Sequence, residues 1–176
     1  MSSHRGVEPD PGPALLAIYD TALPEVYGYL LSRCGRRALA EDLTADVFLA
    51  AVQACRRRPA PTPSTGWLVG IARHKLVDHW RALEREERGL RALDGAPTPD
   101  NDPWDEKLDA LLAREALAEQ SPVNRAALTL RYLDGLPVGE VARQLGRTLH
   151  ATEALLTRAR AAFRRSYTEL TEGGPA

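Results

Sequence analysis

The segment LPVGEVARQLGRTLHATEALLTRARAAFRR, residues 136–165, decides the fold of the C-terminal half of this 176-residue chain. Val141, Ala142 and Leu145 recur at the spacing of one helix face, and Gly146 then permits the backbone of a tight turn. A longer pattern follows, whose members at three-four spacing are predicted to face inward: Leu149, Thr152, Leu156, Ala159, Phe163 and Tyr167. A short helix, a glycine turn and a longer helix together predict a helix-turn-helix.

The longer helix of such a motif lies in the major groove of DNA, where its exposed N-terminal side chains approach base edges. The side chains in those positions are His150, Ala151, Glu153, Ala154 and Thr157. Four arginines farther along, Arg158, Arg160, Arg164 and Arg165, are placed to meet phosphates, which supplies affinity without reading sequence. Glu153 is suited to accept a hydrogen bond from the amino group of cytosine. A helical hairpin with a solvated arginine face would show the same pattern, so this half alone leaves DNA binding open.

A preceding helix is predicted from Ser121 and Pro122, a capping side chain followed by the residue best tolerated at a first helical position. Its expected inward residues are Val123, Ala127, Leu130 and Leu133, and it is expected to end at Asp134 and Gly135. The short helix then starts near Pro137, which we place at its first helical position.

The N-terminal half shows three further apolar stripes with helical periodicity. The first reaches Gly35, and Pro24 must either kink it or start a second helix. The second runs from about residue 38 to residue 57, and the third begins near Trp67. The spacing of Trp67 and Trp80 with the leucines of the third stripe favours a core role over stacking on bases.

Composition and charge divide the chain further. Alanine and leucine far outnumber valine and isoleucine, which favours an all-α fold. Residues 51–88 hold 8 basic and 4 acidic side chains, whereas residues 89–120 hold 3 basic and 8 acidic ones. We therefore predict two small helical domains, an N-terminal bundle at residues 14–88 and a helix-turn-helix domain at residues 107–170. A flexible acidic linker at residues 89–106 would join them, with a disordered leader at 1–13 and a tail at 171–176.

Several classes of protein are disfavoured. No apolar run approaches the roughly 20 residues of a membrane span, and no secretory signal pattern is present, so we expect a cytoplasmic protein without membrane insertion. The sequence has no phosphate-binding glycine loop, nucleophile elbow or metal-ligand cluster, so no catalytic residue, cofactor or metal is predicted. Cys34 and Cys55 are expected to be small buried hydrophobes.

Taken together, the two halves resemble the extracytoplasmic-function (ECF) group of bacterial RNA polymerase sigma factors, a branch of the sigma-70 family. AEDLTADVF at residues 40–48 resembles the segment that docks on the polymerase clamp, and WLVGIARHKLVDHWR at residues 67–81 resembles the promoter-melting helix. ALTLRYLDGLPVGEVARQLG at residues 127–146 and LLTRARAAFRR at residues 155–165 resemble the reader of the upstream promoter element. The resemblance extends from about residue 14 to residue 170.

The resemblance implies a transcription initiation factor that binds the clamp and flap of core RNA polymerase and lets the holoenzyme recognise and open promoter DNA. It places Asp42, Asp46 and Phe48 on the clamp-docking helix, where Phe48 suits the core as well as the interface. It assigns capture of a flipped base of the minus-ten element to the loop at residues 59–66, with Pro61, Thr62, Pro63 and Ser64. It assigns the backbone of that strand to Arg73, Lys75, Arg81 and Arg85, and the minus-thirty-five element to the helix after Gly146. An anti-sigma factor is an expected partner.

Four departures from the family pattern are visible. Ala45 stands where glutamine is usual, His74 where asparagine is common, and Pro137 where a capping serine or threonine is frequent. His150-Ala151-Thr152-Glu153 replaces a frequent Gly-Thr-Val-Lys, so a different promoter sequence is expected. The alternative function is a helix-turn-helix repressor or activator that acts without polymerase. That reading accounts for residues 121–170 and leaves the acidic helix around Asp42 without a role.

Overall fold

A computed structural model describes residues 11–90 and 109–173 of the chain. Within these ranges every regular element is helical: α1 (Pro11–Cys34), α2 (Arg37–Cys55), α3 (Thr65–Leu90), α4 (Ala110–Ala118), α5 (Pro122–Leu128), α6 (Val138–Leu145) and α7 (Leu149–Glu172). A π-helical turn, Thr129–Leu133, continues α5. The all-α prediction is therefore confirmed. The chain separates into two compact units, and the division falls between Leu76 and Val77, within α3.

The first unit is built on a hairpin of α1 and α2. Gly35 ends α1 with a positive φ of 67°, and its N–H donates to the carbonyl oxygen of Leu31 at 2.9 Å. Only Gly35 and Arg36 separate α1 and α2, and the two helices pack against each other. Their facing stripes supply buried residues of mixed size: Ala22, Val26 and Leu30 from α1, and Ala40, Val47 and Ala51 from α2. From α3, Leu68, Ala72 and Leu76 are buried as well.

Two features of α1 differ from the sequence prediction. The helix passes through Pro24 without ending, so no second helix starts there. Pro24 is exposed, and the carbonyl group of Asp20, which loses its helical donor, therefore lies where water can reach it. The helix also begins at Pro11, inside the segment predicted as a leader, because proline is tolerated in a first helical turn. Residues 1–10 of that leader lie outside the described residues.

The second unit is organised around α7, against which α4, α5 and α6 all pack. One buried cluster joins Ala116 of α4 and Leu128 of α5 to Ala159 and Phe163 of α7. The small alanines allow the helices to approach closely, and the Phe163 ring stacks on Tyr167 with centroids 6.1 Å apart. The inner face of α7 is therefore buried against the other helices of this unit, and its outer face is available for contacts with other molecules.

Side-chain hydrogen bonds link the end of α4 to α5 and α7. The buried Gln120 side chain donates to the carbonyl oxygen of Ala116 at 2.9 Å and to the Ser166 hydroxyl at 3.2 Å. The Arg125 guanidinium donates to the carbonyl oxygen of Leu117 at 3.1 Å and to that of Ala118. These side chains satisfy carbonyl groups at the end of α4 that have no partner within the helix.

Two residues predicted to face the core are exposed instead. Leu133 is 50% exposed because the π turn, closed by the Asp134 N–H on the Thr129 carbonyl oxygen at 2.9 Å, adds a residue and rotates the end of the helix. Leu149 is 52% exposed because it is the first residue of α7, one turn before the buried Thr152. Pro137 is also one position earlier than predicted, at the N-cap of α6, where its carbonyl oxygen accepts from Glu140 and Val141.

The predicted interior roles of three other residues are confirmed. Cys34 and Cys55 are both buried, and Trp80 is only 2% exposed. Trp67 is half-buried. The segment predicted as the linker overlaps α3, which continues to Leu90, and its remainder lies outside the described residues. No helix in the described ranges is long and apolar enough to cross a membrane.

Candidate nucleic-acid and polymerase interfaces

The turn between α6 and α7 fixes where the long helix begins. Gly146 has a φ of 63° and a ψ of 38°, the left-handed conformation, and the Arg147 N–H donates to the Ala142 carbonyl oxygen at 2.9 Å. Thr148 then caps α7, since its hydroxyl accepts from the Ala151 N–H at 3.2 Å. The helix-turn-helix predicted from the sequence is present, and the Thr148 cap is a contact that the sequence analysis missed.

The outer face of α7 is lined mostly by short, uncharged side chains, which we call the floor. At about 100° per residue, His150, Ala154, Thr157 and Ala161 fall on the side opposite the buried residues, with Glu153 at one edge. His150 and Glu153 are exposed, whereas Ala151, Ala154 and Thr157 are half-buried. A floor of alanine and threonine lets a helix approach the edges of base pairs closely.

Arginines border this floor on both sides. The same helical geometry places Arg160 and Arg164 along one edge and Arg158 and Arg165 along the other. Arg165 is exposed and the other three are half-buried, so their aliphatic stems lie along the helix. The two rows of guanidinium groups lie on either side of the uncharged floor. This arrangement is complementary to a DNA groove, which has a phosphate backbone on each side.

Glu153 is the only acidic residue between Leu149 and Thr168. Its carboxylate has no hydrogen bond or ion pair with any residue that the structure describes. One turn later, the Thr157 hydroxyl donates to the Glu153 carbonyl oxygen at 3.0 Å, which turns the threonine methyl group away from that bond. The outer face of α7 therefore presents the Glu153 acceptor at its edge, beside the apolar methyl group of Thr157.

A second basic surface lies in the first unit, where a proline-rich loop leads into α3. Pro61 and Pro63 are half-buried, and Thr62 and Ser64 are exposed. The Ser64 hydroxyl accepts from the Trp67 N–H at 3.2 Å, so this residue predicted to touch DNA also starts the helix. Arg73 and Lys75 follow on α3, and residues 59–77 include no acidic side chain.

Arg81 and Arg85, the other two residues predicted to hold the minus-ten strand, lie farther along α3 in the second unit. Both are exposed. Arg81 is 3.9 Å from the Asp78 carboxylate, a surface ion pair that costs little to break.

The described residues contain no group of three His, Cys, Asp or Glu side chains that could hold a metal ion.

The third surface is the outer side of α2. Asp42 and Asp46 are exposed, as predicted for residues that meet a basic partner. Phe48 is half-buried, and its ring meets Tyr19 of α1 edge to face with centroids 5.0 Å apart. Phe48 therefore joins the two helices as well as lying beside the acidic surface.

Comparison with known proteins shows the family to which the chain belongs. Residues 18–86 match Sigma-70 region 2, and residues 110–163 match Sigma-70, region 4. The chain is 30% identical over 138 residues to the ECF RNA polymerase sigma factor SigL of Mycobacterium tuberculosis, covering 74% of this chain and 75% of SigL. The chain belongs to the ECF group of the sigma-70 family.

Two further comparisons agree with this membership. The ECF RNA polymerase sigma factor BldN of Streptomyces coelicolor is 33% identical over 147 residues, which is 81% of this chain and 56% of BldN, so the chain spans little more than half of that relative. The sigma factor RpoE of Bartonella quintana, solved with the anti-sigma factor NepR, matches with a TM-score of 0.52 and 19% identity. That match covers 88% of this chain and 97% of RpoE and supports the fold.

The α2 surface of this sigma-70 family member also has an apolar component that was not among the predicted site residues. Leu49 is 59% exposed, and Val52 is exposed beside it, on the same side of α2 as Asp42 and Asp46. The signal was present, because Leu49 and Val52 do not share the spacing of the buried residues Val47, Ala51 and Cys55. An exposed apolar patch with an acidic border is typical of a protein interface.

Proposed function

We propose that this protein is a transcription initiation factor that binds core RNA polymerase and directs promoter recognition and opening. The outer face of α7, with its neutral floor between two rows of arginines, is the observation that carries the proposal. Such a face suits duplex DNA, and a sigma-70 family chain would apply it to the minus-thirty-five element. We extend this role to His150, Ala151, Glu153, Ala154 and Thr157 as base-facing residues, with Arg158, Arg160 and Arg164 on phosphates.

The minus-ten element would be held by the loop and α3. An unstacked base costs a few kcal/mol to extrude, and a preformed pocket returns that energy through contacts. Prolines at positions 61 and 63 restrict the loop before DNA arrives, and Thr62 and Ser64 expose hydroxyl groups. Arg73, Lys75, Arg81 and Arg85 would neutralise the phosphates of the melted strand.

Polymerase would be bound at two places. On α2, Asp42 and Asp46 around Leu49 fit a basic helical surface such as the clamp, because apolar contact supplies area and the acids supply orientation. On the second unit, the exposed side chains of Tyr132 and Leu133 at the π turn offer an apolar contact for the flap. The polymerase performs the synthesis in this proposal, and the chain itself has no catalytic role. We also propose a cytoplasmic location and an anti-sigma factor as a partner.

Association with polymerase and binding to DNA are testable together. Size-exclusion chromatography with core RNA polymerase should show co-elution of the wild-type chain and weaker co-elution of Asp46→Arg, with Glu25→Arg on the exposed side of α1 as the matched charge reversal. The chain alone should bind duplex DNA weakly, because its net charge is −1. Tight, sequence-specific DNA binding by the isolated chain, without any association with core polymerase, would instead support the stand-alone repressor or activator.

A further inference from the structure

We propose that the second unit binds a nucleoside triphosphate in a cavity lined by four arginines. The cavity has a volume of about 340 Å³. This volume lies at the lower end of the range that is usual for small-ligand sites, roughly 300–1,000 Å³. All the residues that line it, from α3, α5 and the end of α6 with the turn that follows, belong to the second unit. The proposal goes beyond the initiation role, and nucleotide binding itself does not depend on that role.

Three of the four arginines lie on one side of α3. At about 100° per residue, Arg81, Arg85 and Arg88 fall within roughly 60° of one another, and they span about 10.5 Å along the helix axis. The fourth, Arg147, belongs to the turn before α7. This turn lies against α3, because a Cβ atom built on Gly146 would be only 3.2 Å from a guanidinium nitrogen of Arg81. Cations from α3 and from the turn therefore line the same cavity.

The cavity has more positive charge than its acidic neighbour balances. Among the described residues, Glu84 is the only acidic one that lines it, and its carboxylate accepts a hydrogen bond from Arg88 at 3.1 Å. Arg81 has the surface ion pair of 3.9 Å described above. The side chains of Arg85 and Arg147 form no hydrogen bond or ion pair with any residue that the structure describes. Two guanidinium groups are therefore available to an anion.

Linked phosphate groups suit this arrangement of charge. A guanidinium group donates two parallel N–H bonds to one phosphate, and such charge-assisted bonds are stronger than neutral ones. A triphosphate brings several negative charges into one short chain, which reaches arginines on both sides of a small cavity. The carboxylates of an acidic peptide carry one charge each and are held apart by a backbone that the cavity would also have to admit. The charge therefore favours a small polyphosphate.

The remaining wall of the cavity suits the nucleoside. It is formed by the half-buried Val123 and the buried Ala126 of α5, together with the buried Leu145 of α6. Apolar side chains beside a few charged groups are typical of sites that hold a ligand with a flat body and a charged tail. Because these three side chains have no hydrogen-bonding group, we expect ATP and GTP to bind equally well.

Occupation of the cavity would affect promoter binding. Arg81 and Arg85 are also the residues proposed to hold phosphates of the minus-ten strand, and one guanidinium group cannot serve both ligands at once. A bound nucleotide would therefore compete with the melted strand. This consequence, unlike nucleotide binding, rests on the initiation role proposed above.

Isothermal titration calorimetry of the full chain with ATP, in magnesium-free buffer, tests the site. Methyl triphosphate keeps the charged tail of ATP and lacks the nucleoside. Arg147→Ala removes an available guanidinium group, and Arg114→Ala, an exposed arginine of α4, is the matched control for net charge. Glu84→Gln keeps the shape of the side chain and removes the negative charge from the cavity.

The wild-type chain should bind one ATP, and Arg147→Ala should weaken this binding about 10-fold, the effect of one charge-assisted hydrogen bond. Glu84→Gln should tighten it about 3-fold, although the loss of the ion pair to Arg88 leaves its melting temperature at or below that of the wild type. Arg114→Ala should bind ATP as the wild type does. Methyl triphosphate should bind at least about 3-fold more weakly than ATP, because it makes no contact with the apolar wall.

Three results would overturn the proposal. The first is the absence of ATP binding at millimolar concentration, and the second is an equal loss of binding in Arg147→Ala and Arg114→Ala. The third is equal binding of ATP and methyl triphosphate, which would remove the nucleoside from the site. A DNA oligonucleotide that binds through Arg147 where ATP does not would also overturn it, and would identify DNA phosphates as the occupant. Each of these results leaves the initiation role intact, and failure to associate with core polymerase would leave nucleotide binding intact.

Discussion

The hydroxyl oxygen of Tyr167 accepts a hydrogen bond from the backbone N–H of Asp109 at 2.9 Å. The bond joins the residue that caps α4 to the last third of α7, although the two lie 58 positions apart in sequence. The Asp109 carboxylate caps α4 through the N–H groups of Leu111 and Leu112. One tyrosine therefore anchors the start of α4 to the helix whose outer face is the proposed DNA-binding surface.

Removal of the hydroxyl should loosen this anchor. Tyr167→Phe is expected to lower the free energy of unfolding by about 1 kcal/mol, because the Asp109 N–H loses its partner while ring stacking is retained. Denaturant unfolding followed by circular dichroism measures the change. Tyr27→Phe in α1 is the control, since no hydrogen bond of that hydroxyl occurs among the described residues. Equal stability of the two variants would show that the bond contributes nothing.

The turn before α7 depends on the left-handed backbone of Gly146. Gly146→Ala should lower the free energy of unfolding by about 1–2 kcal/mol, because a Cβ atom disfavours a φ of 63°. Gly139→Ala, in the first turn of α6 and without a positive φ, should be neutral or stabilising. Urea melts of both variants supply the comparison. A Gly146→Ala protein as stable as Gly139→Ala would contradict the role assigned to this turn.

Glu153 should determine base preference in the upstream element. Glu153→Lys replaces an acceptor with a donor, so we expect preference at one or two positions to move from cytosine toward guanine. Selection of promoters from a randomised upstream element by the holoenzyme reports the change. Core association of the variant, measured in parallel, should remain at the wild-type level. A uniform loss across all promoters would show that Glu153 does not read bases.

Arg158 should contribute affinity without preference. In the holoenzyme, Arg158→Ala should weaken binding to all upstream sequences alike and reduce the slope of log K against log salt by about 0.9, the value for one lost phosphate contact. Arg114→Ala, an exposed arginine of α4, controls for the change in net charge. An unchanged salt slope would place Arg158 away from the phosphates.

The helix ends were predictable because they depend on local chemistry. Gly35 and Gly146 adopt the positive φ that their positions required, and Ser121 caps α5 through the Asn124 N–H. The π turn was not predictable, because its register is chosen by packing of the second unit rather than by residues near Leu133. The passage of α1 through Pro24 has the same origin, since tertiary burial of neighbouring residues outweighs one lost hydrogen bond.

The candidate surfaces were predictable only in part. Charge showed where basic residues cluster, so the arginines of α7 could be placed on its outer side from spacing alone. Exposed apolar residues such as Leu49 resemble core residues in type, and only the departure of Leu49 from the spacing of the buried residues of α2 indicates that it faces outward. The cavity beside Arg147 depends on which helices meet in the folded unit, which helical periodicity does not encode.

Run-off transcription from a selected promoter tests the central claim most directly, with purified core RNA polymerase supplied alone or together with this chain. The account predicts a promoter-specific transcript only when both are present, and loss of that transcript when the upstream or the minus-ten element is scrambled. Absence of a specific transcript with active core polymerase, or a transcript of equal yield without the chain, would contradict it.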